Sequence, residues 1–322
     1  VILQHKKLEH VAESIVTAMS LLDVKKHLCL LPLATLLENV AGVYAPILKG
    51  IEVVVPPPEE TGLSGSSQLD IEKFAQCINT HQPESVILVP QLLLALITLT
   101  EMGIVDTGSL KMIAVGGGKV SRRLLDRAAE LGLPVYEGYG LSEAGSVTTL
   151  NLPGQTKPGS VGKPLPHAAV RVSPEGEIEV SGTLMDGYLG GHTGFDDWYA
   201  TGDLGYIDEE GFVFISGRRD NLFVTSYGRN VNPEWIEAEL GQSPAVAHVL
   251  VHGQALPHNL ALIWPRFEMT CTEAAELVDE VNSKLPDYAR INEHWVLREP
   301  IADDLVTANG RLKRQQVIDS YF

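Results

Sequence analysis

The chain opens in alternating hydrophobic periods. Residues 6–22, KKLEHVAESIVTAMSLL, place apolar side chains three and four apart, as on one face of a helix. HLCLLPL (27–33) is a short apolar run that stops at Pro32, and LENVAGVYAPILKG (37–50) returns to helical spacing before Gly50. IEVVVPPP (51–58) is β-branched and closed by prolines. The alternation continues through DIEKFAQCINTH as helix, SVILVP as strand, QLLLALITLTEMG as helix, and LKMIAVGGG as a strand running into a glycine turn. SRRLLDRAAELG is then a helix with Ser121 as its N-cap and Gly132 beyond its end, followed by the strand PVYEGYG. Strands that are apolar on both faces and alternate with helices predict a parallel sheet covered on both sides.

The texture changes near Asn151. Segments rich in Gly and Pro surround short alternating strands such as GEIEVSG and GFVFISG, which predicts a small antiparallel β module. Beyond Arg219 the pattern becomes that of a small α+β domain: helix PEWIEAEL, strands VAHVLVHG and LALIWP, helix CTEAAELVDEVNSKL, and a polar tail. The expected fold class is therefore α/β. Residues 1–219 would be one large-domain portion, with a sheet region at 1–150 and the β module at 151–219, and residues 220–322 a separate C-terminal domain.

Composition narrows the chemistry. With 24 basic and 41 acidic residues in 322, the formal charge is −17, which argues against a non-specific nucleic-acid binder. A local anion site made of backbone N–H groups and a few cations stays open. Cys29, Cys77 and Cys271 form no CxxC pair, and the ten histidines show no HxxxH or HExxH spacing. Neither a disulfide framework nor a structural zinc site is expected, and a reducing, cytoplasmic setting fits. The longest apolar run, SVILVPQLLLALITL, is broken by Pro90 and too short to span a bilayer.

Five short motifs carry candidate chemistry. VGGGKVS (115–121) puts three glycines between a strand and a helix, where a ligand can approach the backbone, although a plain tight turn explains it equally and the GxGxxG order of a dinucleotide site is absent. YEGYGLSEAG (136–145) packs Tyr139, Gly140, Ser142 and Glu143 together, enough to stack a base and hold a hydrated Mg²⁺, or to end a strand in an exposed turn. Asp203 in ATGDLGY could accept from the paired hydroxyls of a ribose, or close a turn on its own backbone. Arg218 and Arg219 in GRRDN could face a sugar–phosphate, or form a solvated corner with Asp220. TANGRLKR supplies Arg311, Lys313 and Arg314 around Gly310, either for a phosphate or as an ordinary basic tail.

Taken in order, GGG…YGLSE…GSVGKPLP…GEIEVSG…WYATGDLGYID…GRRDN…GRNVNPEWIE…NGRLKR resembles the adenylate-forming superfamily across essentially the whole chain. VYEGYGLSE with SYGRNVNPEWIE is most similar to bacterial long-chain fatty acid–CoA ligases. The resemblance implies ATP, Mg²⁺ and coenzyme A as ligands and a fatty acid as substrate, activated to acyl-AMP and then passed to CoA. It implies that Tyr139 stacks on adenine beside Gly117, Gly118 and Gly140, that Asp203 and Arg218 hold the ribose, and that Ser142 and Glu143 meet phosphate and Mg²⁺. It further makes Asp220 the hinge, Gly228 part of the CoA-side loop, and Arg311 the residue at the catalytic lysine position, with Lys313 two residues away. Peripheral membrane contact for substrate uptake, at the inner face, and homodimerisation are further expectations.

The sequence departs from the family in three places. VILQHKKLEH matches the residues just after the family's Gly/Ser/Thr-rich phosphate loop, so the resemblance implies a fragment that is inactive by itself. Thr35 in LPLAT stands where a histidine is usual, and Arg311 where the lysine is. Two alternatives follow: a ligase that loads a carrier protein instead of CoA, and a non-catalytic nucleotide-binding homologue.

Overall fold

A computed structural model describes residues 1–64, 68–191, 197–226, 228–254, 256–307 and 310–322. The chain divides into two compact units, one made of Val1–Gly62 and Asp70–Ser216, the other of Leu63–Leu69 and Gly217–Phe322.

In the first unit the predicted runs become strands β1 (Lys26–Leu28), β2 (Glu52–Val54), β3 (Ser85–Leu88), β4 (Met112–Val115) and β5 (Val135–Tyr139). Two short strands follow, β6 (Thr149–Leu150) and β7 (Lys163–Pro164), and the sheet order is β2-β1-β3-β4-β5-β6-β7. The first five strands are parallel, with His27 opposite Ser85, Ser85 opposite Met112 and Ile113 opposite Val135. Pairing reverses at the end of β5, where Gly138 and Tyr139 lie antiparallel to Leu150 and Thr149.

Both faces are covered, as the unbroken apolar strands require. Helix α1 (His5–Met19) buries Val11, Ala12 and Ile15 in one cluster with Val40, Met112 and Leu150. Helices α2 (Ile71–His81), α3 (Pro90–Glu101) and α4 (Arg122–Glu130) pack in series, and all four side chains of β3 are buried. Ser121 caps α4 by accepting from the Leu124 N–H at 3.2 Å, and Gly132 beyond its end takes φ 70°, as the sequence predicts.

The segment expected as one helix at 37–50 is wound differently. Glu38–Tyr44 is π-helical and only Ala45–Lys49 is α-helical. Pro46 gives the reason: its ring would crowd the carbonyl four residues back in an α-helix, and the wider turn relieves that contact.

The predicted β module consists of β8 (Ala168–Val172), β9 (Glu177–Gly182), β10 (Tyr199–Ile207) and β11 (Val213–Arg218), in that order in one sheet, with β8–β9 and β9–β10 antiparallel.

The second unit begins within β11. A small ladder, β12 (Phe223–Val224) with β13 (Asn230–Val231), precedes helix α5 (Pro233–Leu240). Strands β14 (Val246–His252), β15 (Asn259–Pro265) and β16 (Ile291–Val296) form a three-stranded sheet in that order. Alternation along the strands divides the core. Val251 and Ile263 join Ile236, Leu240, Val278 and Val281 from α5 and α6 (Cys271–Asn282), whereas Leu250 and Leu262 join Val317 of the last helix, α7 (Arg314–Tyr321). No described helix is long and apolar enough to cross a membrane.

Candidate functional site

The first unit gathers the predicted nucleotide residues at the C-terminal ends of its parallel strands. β4 runs into Gly116–Gly118, and β5 ends at Tyr139. Crevices beyond these strand ends are where open α/β sheets bind ligands. Gly117 takes φ 77°, a left-handed conformation that favours glycine. A Cβ on Gly118 would rest 3.4 Å from Pro90, so that turn lies close against the start of α3.

Tyr139 and Asp203 meet directly. The Tyr139 hydroxyl donates to Asp203 Oδ2 at 2.6 Å, across 64 residues of sequence. Asp203 is itself nearly buried on β10, and its N–H donates to Thr201 Oγ1 at 3.1 Å. A carboxylate so held, with an aromatic ring beside it, suits a nucleoside: the ring for the base and the acid for the sugar hydroxyls.

Gly140 is required for a local reason. A Cβ there would come 1.6 Å from the Ser146 carbonyl oxygen. The chain folds back at this point, with the Thr148 N–H donating to the Tyr139 carbonyl and the Ser146 N–H to the Leu141 carbonyl. The fold-back presents Ser142, exposed, and Glu143 on one 3₁₀ turn.

Glu143 Oε1 accepts a 2.9 Å hydrogen bond from Tyr188, whose hydroxyl also lies 3.2 Å from that of Tyr199. Hydrogen bonds to Tyr199 and Glu143, with some burial, push the Tyr188 hydroxyl pKa up, so it stays a neutral donor. The other Glu143 oxygen has no partner among the described residues, and a partly exposed hard oxygen of this kind suits magnesium. Tyr188 and Tyr199 were not picked out from the sequence, since a lone tyrosine in a Gly-rich loop and another at the start of a strand carry no spacing signal.

Two further residues were also missed. Lys119, after the glycines, reaches the Ser216 carbonyl at 3.1 Å and that of Ile215 at 3.4 Å. It thereby fastens the end of the first unit to the glycine turn. Glu137, on β5 two residues before Tyr139, is buried, and Oε2 finds no partner among the described residues. Burial pushes its pKa up to about 8, against opposing pulls from Lys119 and the Val120 N–H.

The remaining predicted residues belong to the second unit. The Arg218 N–H donates to Glu234 Oε2 at 3.2 Å, and Asn221 donates to Glu234 Oε1 at 2.5 Å, so the GRRDN segment is tied to the start of α5. Asp220 is exposed and 3.7 Å from the Arg219 guanidinium, the solvated corner that was the simpler reading of that pair. Gly228 takes φ 73° in the β12–β13 loop, with open space where a Cβ would lie.

Near the C-terminus, Thr307 and Arg311 are bonded to each other: Thr307 N–H to the Arg311 carbonyl at 2.8 Å, and Arg311 N–H to Thr307 Oγ1 at 3.1 Å. Arg311 is exposed beside Gly310, which takes φ 76°. Lys313 is engaged elsewhere, donating to the Asp304 carbonyl at 2.7 Å. Arg314 Nη2 lies 2.5 Å from both oxygens of Glu237, and Nη1 donates to the Val251 carbonyl at 3.1 Å. Ala308 and Asn309 of the TANGRLKR motif lie outside the described residues.

Comparison with known proteins places these features. Residues 1–189 match the family model described as AMP-binding enzyme, and residues 220–322 match the AMP-binding enzyme C-terminal domain. A long-chain-fatty-acid–CoA ligase of Mycobacterium bovis is 36% identical over 162 residues, covering 48% of this chain and 27% of that protein. A 2-succinylbenzoate–CoA ligase of Listeria monocytogenes is 29% identical over 258 residues, covering 77% of this chain and 54% of that protein. Among solved structures, the O-succinylbenzoate coenzyme A synthetase of Bacillus subtilis in complex with ATP and magnesium ion matches with a TM-score of 0.74 at 26% identity, over 97% of this chain and 66% of that one. The chain thus spans between about a quarter and a half of the length of these curated relatives. With both family models matched in order along it, this chain belongs to the AMP-binding, adenylate-forming enzyme family.

Proposed function

We propose that this chain is the nucleotide-handling part of an ATP-dependent acid–thiol ligase, which joins a carboxylic acid to AMP and then transfers the acyl group to coenzyme A. The observation that supports this most is the Tyr139–Asp203 hydrogen bond beside the Ser142–Glu143 turn. In the first half-reaction the substrate carboxylate attacks the α-phosphorus of ATP, the bond to the bridging oxygen breaks, and pyrophosphate leaves. In the second, the CoA thiol attacks the acyl carbon, AMP leaves, and the thiol proton passes to solvent. Asp203 would orient the ribose, Tyr139 the base, and Arg311 would offset charge on the phosphate. Magnesium held at Glu143 would neutralise phosphate charge when bound. Asp220 is the proposed pivot between the half-reactions, and Gly228 the proposed contact with the CoA side.

For the acid we propose a long-chain fatty acid, on the strength of the similarity to the mycobacterial fatty acid ligase. A cyclic or aromatic keto acid is the second reading, favoured by the longer share of the chain that aligns with the Listeria enzyme. Calorimetry with non-hydrolysable acyl-adenylate sulfamates separates the two. Hexadecanoyl and succinylbenzoyl analogues, with AMP as competitor, report the acyl preference. Asp203→Ala should weaken every analogue. If neither AMP nor any analogue binds at millimolar concentration, the nucleotide reading fails.

A further inference from the structure

His27, Cys29 and Glu38 converge away from the nucleotide residues. His27 and Cys29 are two apart at the end of β1 and so share one face of the sheet. Glu38 opens the π-helical turn, and all three side chains are buried, Glu38 completely. His Nε2 lies 3.2 Å from Glu38 Oε1, and one donor atom from each of the three residues falls within 4.8 Å of the other two. We propose that this cluster is a binding site for one divalent transition-metal ion of the zinc type.

Three observations carry the proposal. The first is charge. With the ion bound, a neutral imidazole, a thiolate and a carboxylate would bring two negative charges, which one divalent ion cancels. Glu38 Oε2 accepts from the Leu31 N–H at 3.2 Å, but no Lys or Arg ion pair to Glu38 occurs among the described residues to offset its buried charge.

The second is geometry. Two donors each roughly 2.0–2.1 Å from a tetrahedral zinc stand about 3.3 Å apart, and the His27–Glu38 separation is already 3.2 Å. His27 Nδ1 lies 2.9 Å from Ser85 Oγ on the neighbouring strand, the outer partner that fixes the tautomer of a metal-bound imidazole.

The third is space. Gly42 stands one turn on from Glu38. A Cβ on it would come 2.1 Å from Glu38 Oε1 and 2.9 Å from His27 Nε2, so the glycine keeps open the spot on which the donors converge. The widened π turn brings that glycine over the strand. A water or the Gly42 carbonyl, 3.7 Å from Cys29 Sγ, would complete four-coordination. The sequence offered no metal spacing here, because HxC and an acid nine residues on become neighbours only through the sheet and the π turn.

Because the donors are buried, the ion has to enter as the chain folds. The test is to express the whole chain in cobalt-supplemented minimal medium and record its absorption and metal content. Wild type should carry about one cobalt per chain with a thiolate-to-cobalt charge-transfer band in the near ultraviolet. Cys271→Ser, which alters the exposed cysteine, should keep the band. Cys29→Ser should lose it. Ser85→Ala should retain the band but release metal to a chelator about 10–100-fold more readily. The proposal is overturned if wild type carries no stoichiometric metal, or if the band disappears in Cys271→Ser instead. Should Cys29→Ser fail to fold, wild type, Cys271→Ser and Ser85→Ala still decide.

Discussion

The Tyr139 hydroxyl and Asp203 Oδ2 lie 2.6 Å apart, and this one bond links the end of the parallel sheet to the β module. A hydrogen bond to an ionised group contributes roughly 1.5–3 kcal/mol. If Asp203 also grips the ribose, Asp203→Ala should weaken AMP binding by roughly ten- to a hundredfold. Tyr139→Phe keeps the ring and loses only the tether, so its loss should be smaller than that of Tyr139→Ala. Titration calorimetry with AMP checks both; equal losses for Phe and Ala would mean that the ring plays no part.

Glu137 should leave a signature in the pH dependence of stability. Its pKa rises from 4.5 unfolded to about 8 folded, because burial disfavours the charged form. Between those values the folded chain holds a proton that the unfolded chain gives up. Stability from this group is therefore greatest below about pH 4.5 and falls as pH rises toward 8, by at most about 1.4 kcal/mol per pH unit. Glu137→Gln should flatten that part of the profile and gain on wild type as pH rises. Urea unfolding at several pH values measures it, and parallel profiles would remove Glu137 as the cause.

The Arg314–Glu237 pair joins the last helix to α5 and β14. Burial pushes the Glu237 pKa up, and Arg314 opposes that shift. Removing one partner of such a pair strands the other, at a cost of roughly 3–5 kcal/mol. Arg314→Met should therefore lower the unfolding midpoint of the second unit sharply, and Arg314→Lys less, since it keeps the charge but not the second nitrogen that reaches the Val251 carbonyl. The double variant Arg314→Met with Glu237→Met should recover much of the loss. Thermal unfolding of wild type, Arg314→Met, Glu237→Met and the double variant reads out the coupling, and additive losses would argue against it.

Two glycines should respond differently to alanine. Gly140→Ala drives a Cβ into the Ser146 carbonyl, so the fold-back must open. Gly228→Ala meets open space and suffers only from its φ of 73°, about 1 kcal/mol. Gly140→Ala should thus cost several-fold more stability and lose AMP binding, with Gly228→Ala near wild type in both.

Much of the first unit was legible in the sequence because its strands are apolar on both faces and its helices carry plain caps such as Ser121. The π turn was not. Helical spacing looks the same whether the ladder closes on four or five residues, and the effect of Pro46 on the carbonyl of Gly42 shows only in three dimensions. In the candidate site, Tyr139, Ser142 and Glu143 were readable because they are close in sequence. Tyr188, Tyr199, Lys119 and Glu137 take their importance from contacts across 11 to 97 residues, which no local pattern encodes. Arg314 was seen only as part of a basic tail, since its partner Glu237 lies 77 residues earlier.

The fold-back after Tyr139 also limits how this chain can vary. Its backbone bonds pair Leu141 with Ser146 and Tyr139 with Thr148, and Gly140 is pressed against the same returning strand. Pairing in β6 continues directly from that register, so one added or deleted residue would turn the side chains of Thr149 and Leu150 to the wrong faces of the sheet. Gly140 apart, the fold tolerates exchange of side chains in this stretch better than any change of its length. Natural variants should show substitutions between Tyr139 and Thr148 and no insertions or deletions, which makes the separation of aromatic ring and acid a fixed ruler against which a bound nucleotide is measured.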